Sequence, residues 1–278
     1  MRKIGFMQGR LSPLVDGRIQ AFPWSCWEDE FIRGSQAGFD LIEWTIDHER
    51  LHENPLLSTS GRSTIRHLSD EMRLTVASVT GDCFMQAPFW KAEGSIRRHL
   101  LNEFNYVLQA CEMLGVSFLV VPLVDSGSID NHEQISALLD DLMPWTYWLL
   151  DRKISILFES DFGPQELGEM IGQFPSIAFG VNYDVGNSAS LGWNPHEEIS
   201  VYGDRIMNVH VKDRLRGGES VPLGQGDADF AMVFGELERV SYSGDFILQT
   251  ARAVDDDHLG ALVVYLNMVK GWLKDSIS

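Results

Sequence analysis

Eight short apolar runs separated by longer helix-like stretches leave this chain few folds to choose from. The runs occupy residues 4–7, 40–44, 75–79, 118–124, 154–158, 178–183, 206–211 and 246–248, and each reads as a strand. Residues 27–37, 63–72, 94–114, 133–150, 164–174, 195–202, 230–240 and 257–273 follow them in turn and read as helices. Ser25 and Asp161 have the chemistry of helix starts, and Gly38 and Gly115 that of helix stops. Short, apolar strands alternating with helices belong in a parallel sheet covered by those helices. Eight strands close such a sheet, and 278 residues meet the roughly 250 that an eightfold barrel needs. An open doubly wound sheet would place a Gly-rich turn after the first strand, whereas residues 9–13 read GRLSP, which is not GxGxxG. No Pro-, Ser- or Gly-rich linker divides the chain. The expected fold class is α/β, a (β/α)8 barrel, with a single domain over residues 1–278.

Composition narrows the partners. With 22 Lys+Arg against 40 Asp+Glu the net charge is −18, which repels phosphate backbones and disfavours nucleic acid. Three cysteines, Cys26, Cys83 and Cys111, form no CxxC pair and fit a reducing compartment. The N-terminal segment reaches Gln8, Gly9 and Arg10 before any signal-peptide core forms, and no apolar run approaches the roughly 18 residues of a membrane span. A cytoplasmic protein with no membrane partner is expected.

Parity within strands locates the chemistry, because alternate residues face opposite sides. Ile154, Ile156 and Phe158 share one face of the fifth strand, and Ser155, Leu157 and Glu159 the other. Ala178, Gly180, Asn182 and Asp184 group in the same way, as do Asn208, His210 and Lys212, and Asp245, Ile247 and Gln249. Bulky apolar faces suit the helix layer; smaller or polar faces suit the barrel interior. The polar residue ending each strand then falls on the C-terminal rim, where barrel enzymes keep their active sites. Four successive strands offer Glu159, Asp184, His210 and Gln249 to one space. This oxygen and nitrogen set suits one divalent ion (Mn2+, Mg2+, Co2+ or Zn2+), and two carboxylates balance its charge. A lone strand-end Glu is commonly a rim ion pair and a lone His a structural hydrogen-bonding group. Four such residues at matched parity favour a metal centre.

At these residues the chain resembles the xylose isomerase-like TIM barrels, sugar and sugar-phosphate isomerases and epimerases that share their superfamily with apurinic-site endonucleases. The resemblance is carried by GFDLIEW at the second strand, LFES with Glu159, NYDVGN with Asp184, NVHVKDR with His210, and PLGQGDADF; it spans residues 4–273. It implies a divalent metal held by Glu159, Asp184, His210 and a final acidic residue after the eighth strand, with substrate oxygens on the same ion. In the family's epimerases two glutamates flank the reacting carbon, and the second position resembles Gln249 here. An amide keeps a metal-binding oxygen but is no proton carrier. With Glu159 as the one carboxylate base, isomerisation through a metal-stabilised enediolate is easier to sustain than two-base epimerisation, unless Glu43 or Asp213 stands in. Asn187 lies near a family position that carries a substrate-contacting histidine. The expected function is therefore a metal-dependent sugar or sugar-phosphate isomerase or epimerase. The alternatives are a metal-dependent lyase or dehydratase on a keto-polyol, and a non-catalytic sugar-binding relative marked by Gln249. Endonuclease chemistry would need more rim histidines and a basic surface.

Around that centre, Arg10, Glu43, Asn187, Lys212, Arg214 and Arg252 are the expected substrate-binding groups, and with Arg216 the basic ones suit a phosphorylated sugar. Gly217, Gly218, Gly224 and Gly226 either offer backbone N–H groups to a phosphate or serve the turns of a long loop. Trp24, Trp27, Phe84, Phe89 and Trp90 either wall the sugar site or cap the core. His48 and His52 have metal-pair spacing but fit a solvated polar turn better, and residues 255–257 supply acidic charge to the last helix. The expected partner is a small carbohydrate or sugar phosphate, with self-association into a homo-oligomer permitted.

Overall fold

A computed structural model of the protein describes residues 2–276. Its barrel strands are β1 (Ile4–Met7), β2 (Leu41–Thr45), β3 (Thr75–Thr80), β4 (Phe118–Leu123), β5 (Ser155–Ser160), β6 (Phe179–Asp184), β7 (Ile206–Val211) and β8 (Asp245–Leu248). Each pairs in parallel with its chain neighbours, and β8 returns to β1 with Gly5 opposite Ile247, closing the barrel. No helix among the described residues is long and apolar enough to cross a membrane.

The two faces of each strand do different work. Phe6, Ile42, Val79, Leu119, Phe158, Val181, Val209 and Phe246 point outward into one continuous core beneath the helices. Inside the barrel, Met7, Leu41 and Ile247 form a separate small cluster. Gly5 completes it: a Cβ there would sit 2.7 Å from Leu41 Cβ and 2.8 Å from Ile247 Cδ1, so only glycine lets these side chains meet. Above that apolar layer the inward residues turn polar. Glu43, Ser78, Thr80, Asn182, Asn208 and His210 are all at most 2% exposed.

Several expected boundaries shift for local reasons. The stretch 133–150 is two helices, His132–Leu142 and Thr146–Arg152, joined by a tight turn at Met143–Trp145. Pro144 lacks the N–H an α-helix needs at that point. Unanticipated short helices follow β3 (Asp82–Gln86) and β6 (Val185–Leu191), the latter capped by Asp184, whose Oδ1 accepts the Asn187 N–H at 2.8 Å. Ser25 starts no helix, since the first begins at Asp29. Asp161 does not cap either; its carboxylate accepts Ser128 Oγ at 2.5 Å, and the next helix, Pro164–Gly172, opens after Gly163. Gly38 and Gly115 do end their helices, both with φ of 85°. Asp257 caps the last helix, His258–Asp275, through the Gly260 N–H.

Candidate active site

The inward polar residues form one connected network. A fully buried carboxylate is costly unless its oxygens are satisfied. Glu43, at the middle of β2, meets that demand: it accepts Ser78 Oγ and Thr80 Oγ1 at 2.6 Å each and Asn208 Nδ2 at 3.1 Å, and lies 2.6 Å from His210 Nε2. Burial alone would raise its pKa, but His210 and the two hydroxyls hold it below the usual carboxylate value. Asn208 also donates to Asn182 Oδ1 at 2.8 Å, and Asn182 donates to Glu159 Oε2 at 2.9 Å. Two amides thus link one carboxylate to the next across β2, β7, β6 and β5.

Glu159, Asp184 and His210 converge at the top of this network. One ligand atom from each lies within 4.8 Å of the other two, and all three residues are buried. His210 Nδ1 is 3.1 Å from Glu159 Oε2 and 4.0 Å from Asp184 Oδ2, yet it satisfies hydrogen-bond geometry with neither. A buried ring nitrogen with carboxylate oxygens beside it and no hydrogen bond is the arrangement expected of a metal ligand. The other ring nitrogen faces Glu43, a carboxylate–histidine pairing that fixes ring orientation in metal sites. The donor set therefore fits a divalent cation. In the metal-free protein, burial opposes the imidazolium, but the Glu43 and Glu159 charges prevail and push the His210 pKa up to about 10.

Of the three, Glu159 opens onto a cavity of about 400 Å3 whose walls also include Gln20, Asp82, Lys212, Arg214 and Gln249. Lys212 Nζ reaches Asp184 Oδ2 and Asn187 Oδ1 at 3.3 Å each and Gln249 Oε1 at 3.2 Å. Arg214 donates to Asn187 Oδ1 at 2.9 Å, and Asn187 Nδ2 to Glu159 Oε1 at 2.8 Å. Gln249 Nε2 donates to Gln20 Oε1 at 3.1 Å. Asn187, Lys212, Arg214 and Gln249 thus share the cavity with Glu159.

Other expected contacts stand elsewhere. Glu43 does not reach the cavity, because all its capacity is spent holding His210, Ser78, Thr80 and Asn208. Arg10 is 2% exposed and stands behind Gln20, donating to its Oε1 and to Ile19 O. Arg252 clamps the loop after β1 through the carbonyls of Gly9 and Ser12. The four glycine amides of the loop are committed within the protein and are not offered to a phosphate. Gly224 and Gly226 donate to Asp213 Oδ2 at 2.8 and 2.9 Å, while Gly217 and Gly218 donate to Ser190 O and Leu215 O. Asp213 is thereby excluded as a base as well. Trp24 and Trp27 pack with Phe22, Phe31 and Trp44, and Phe84, Phe89 and Trp90 are buried around Phe104, so the aromatic residues cap the core. His48, His52 and His99 all lie within 3.5 Å of the Glu103 carboxylate, on the outer surface.

Four further residues belong to the site without having been expected there. Asn182 and Asn208 carried a signal, their inward parity, without a stated role. Asp82 and Gln20 lie in loop segments where no periodicity points anywhere, and only the folded chain brings them to the cavity.

Known proteins share this fold. A family model described as "Xylose isomerase-like TIM barrel" matches residues 31–262. L-ribulose-5-phosphate 3-epimerase UlaE of Shigella flexneri is 21% identical over 254 residues, covering 88% of this chain and 89% of that protein. Among solved structures, D-allulose 3-epimerase from Methylomonas sp. superposes with a TM-score of 0.78 at 16% identity, over 98% of both chains. The IOLI protein solved with a zinc atom superposes at 0.77 with 15% identity, over 99% of both. On the extent of the family match and the closed eight-stranded barrel beneath it, the chain belongs to the xylose isomerase-like TIM barrel family.

Proposed function

We propose that the protein is a divalent-metal-dependent isomerase or epimerase of a small ketose or ketose phosphate, with Glu159 as the base. The observation that carries this reading is the buried Glu159–Asp184–His210 group with its unpaired Nδ1, whose Glu159 lines a sugar-sized cavity. The relatives' names, epimerases of L-ribulose 5-phosphate and D-allulose, supply the substrate class. Glu159, Asp184 and His210 would hold the ion, with the Gln249 amide oxygen as a fourth donor. When bound, the ion supplies Lewis-acid stabilisation of negative charge developing on the substrate oxygens. Glu159 takes a proton from the carbon beside the carbonyl, and the amides of Asn182 and Asn187 keep its two oxygens aimed. Lys212 and Arg214 bring positive charge to the wall of an otherwise acidic protein, which suits a phosphate or an anionic sugar.

The test combines metal analysis with solvent exchange. Wild-type protein is expected to retain a divalent metal through dialysis and to wash deuterium from 2H2O into L-ribulose 5-phosphate or D-allulose. Asp184→Ala and His210→Ala lose the metal, and Glu159→Gln loses exchange by about 100-fold or more. Unchanged metal content in both ligand variants, or full exchange by Glu159→Gln, refutes the assignment.

A further inference from the structure

Inverting one carbon requires a proton acceptor on one face and a donor on the other, and Gln249 cannot be the second group. Both acids offered by the sequence as replacements are committed elsewhere, Glu43 behind His210 and Asp213 within its loop. Another carboxyl stands in the cavity wall and is itself nearly buried. Asp82 opens the short helix after β3, is 7% exposed, and lines the same cavity as Glu159, Lys212 and Gln249. Its Oδ2 accepts Gln20 Nε2 at 2.5 Å, and Gln20 Oε1 in turn accepts Gln249 Nε2 at 3.1 Å and Arg10 Nη2 at 3.0 Å. Asp82 is thus tied through one amide to the residue that occupies the missing glutamate's position. Its Oδ1 accepts no hydrogen bond among the described residues.

We propose that Asp82 is the second proton-transfer group of this site, so that Glu159 and Asp82 together invert one carbon of a ketose. The inference rests on the proton-transfer reading above and decides it in favour of epimerisation. Glu159 takes the proton from one face, and the C–H electron pair enters a C=C bond as the carbonyl pair moves onto oxygen. The protonated Asp82 carboxyl then gives its proton to the opposite face of the same carbon, and the carbonyl re-forms. Glu159 ends protonated and Asp82 ionised, and exchange with water in the cavity resets both. The environment of Asp82 suits either role. Burial, aided by Asp47 and Glu159 and opposed by the Gln20 hydrogen bond and Arg10, pushes its pKa up to about 7, so both forms are populated near neutrality.

The experiment follows L-ribulose 5-phosphate and D-allulose in 2H2O by NMR with wild type, Asp82→Asn, Asp82→Glu and Glu159→Gln, each checked for metal content. In Asp82→Asn, Glu159 still removes and returns a proton on its own face. Recovered substrate therefore carries deuterium while inverted product falls by about 100-fold or more, and Asp82→Glu restores part of the inversion. Glu159→Gln loses both. A separate readout needs no turnover: the Asp82 carboxyl carbon, labelled with 13C, titrates near pH 7, and its signal is absent from Asp82→Asn. Inversion within threefold of wild type in Asp82→Asn, or loss of exchange and inversion together with metal retained, overturns the role. A wild type that exchanges neither sugar overturns the underlying proton-transfer reading, and Asp82 falls with it.

Discussion

Glu43→Gln separates charge from shape at the least accessible point of the site. The native carboxylate is surrounded by Ser78, Thr80, Asn208 and His210, with contacts of 2.6 to 3.1 Å. A glutamine of equal size still offers an oxygen to the His210 N–H and the Thr80 hydroxyl, and the Ser78 hydroxyl can rotate to accept from its NH2 group. Asn208 loses an acceptor but keeps Asn182. Folding should therefore weaken by only about 1–3 kcal/mol, the cost of weakened hydrogen bonds to a charged group. The larger loss falls on His210, whose outward nitrogen is less basic once the negative charge behind the ring is removed. Losing such a supporting carboxylate lowers metal affinity by about 10- to 100-fold, or about 1.4–2.7 kcal/mol. Chelator-competition titration with Mn2+ or Zn2+ measures the affinity, and a thermal melt checks the fold. A native-like melt with affinity within twofold of wild type would refute the reasoning that Glu43 acts through His210. Glu43→Ala should behave differently, costing about 3–5 kcal/mol because it leaves several buried donors without an acceptor.

Three further outcomes are expected. Asp213→Ala removes the acceptor of the Gly224, Gly226 and Ala228 N–H groups, so urea unfolding should show a loss of about 2–4 kcal/mol; an unmoved midpoint contradicts the loop's dependence on Asp213. Arg214→Met should raise KM for L-ribulose 5-phosphate at least about tenfold while changing KM for D-allulose less, as loss of a charged phosphate contact does; equal effects on both sugars remove Arg214 from phosphate recognition. Asp82 has its pKa raised from 3.8 to about 7, so the folded state favours the protonated form. Its contribution to stability is fully present below the unfolded value and is lost as pH rises to the folded one. Melts across about pH 4 to 7 should show that decline in wild type and a flatter curve in Asp82→Asn; parallel curves would mean that Asp82 titrates normally.

What the sequence revealed depended on periodicity. The barrel was legible because eight apolar runs are enough to close a parallel sheet, and strand parity carried Glu159, Asp184 and His210 to one space without any contact information. The same parity placed Glu43 at the second strand but could not show that Ser78, Thr80 and Asn208 would exhaust its oxygens. Loops have no such period. Arg10 and Arg252 follow strands at the active end, as substrate-binding groups would, yet their guanidinium groups are needed to bind loop carbonyls that would otherwise lack donors. Asp82 and Gln20 come from two loops whose proximity depends on the whole fold. Its expression as chemistry depends on burial, which a one-dimensional string does not contain.

The apolar cluster of Met7, Leu41 and Ile247, with Gly5 admitting the close approach of Leu41 and Ile247, fills the barrel interior. On the proposed function, arriving sugar, departing sugar and the water that renews the proton carriers would therefore approach from the rim and not through the barrel. Selectivity would then be rewritten by altering side chains of the rim cavity, while the apolar filling that bears the architecture stays untouched.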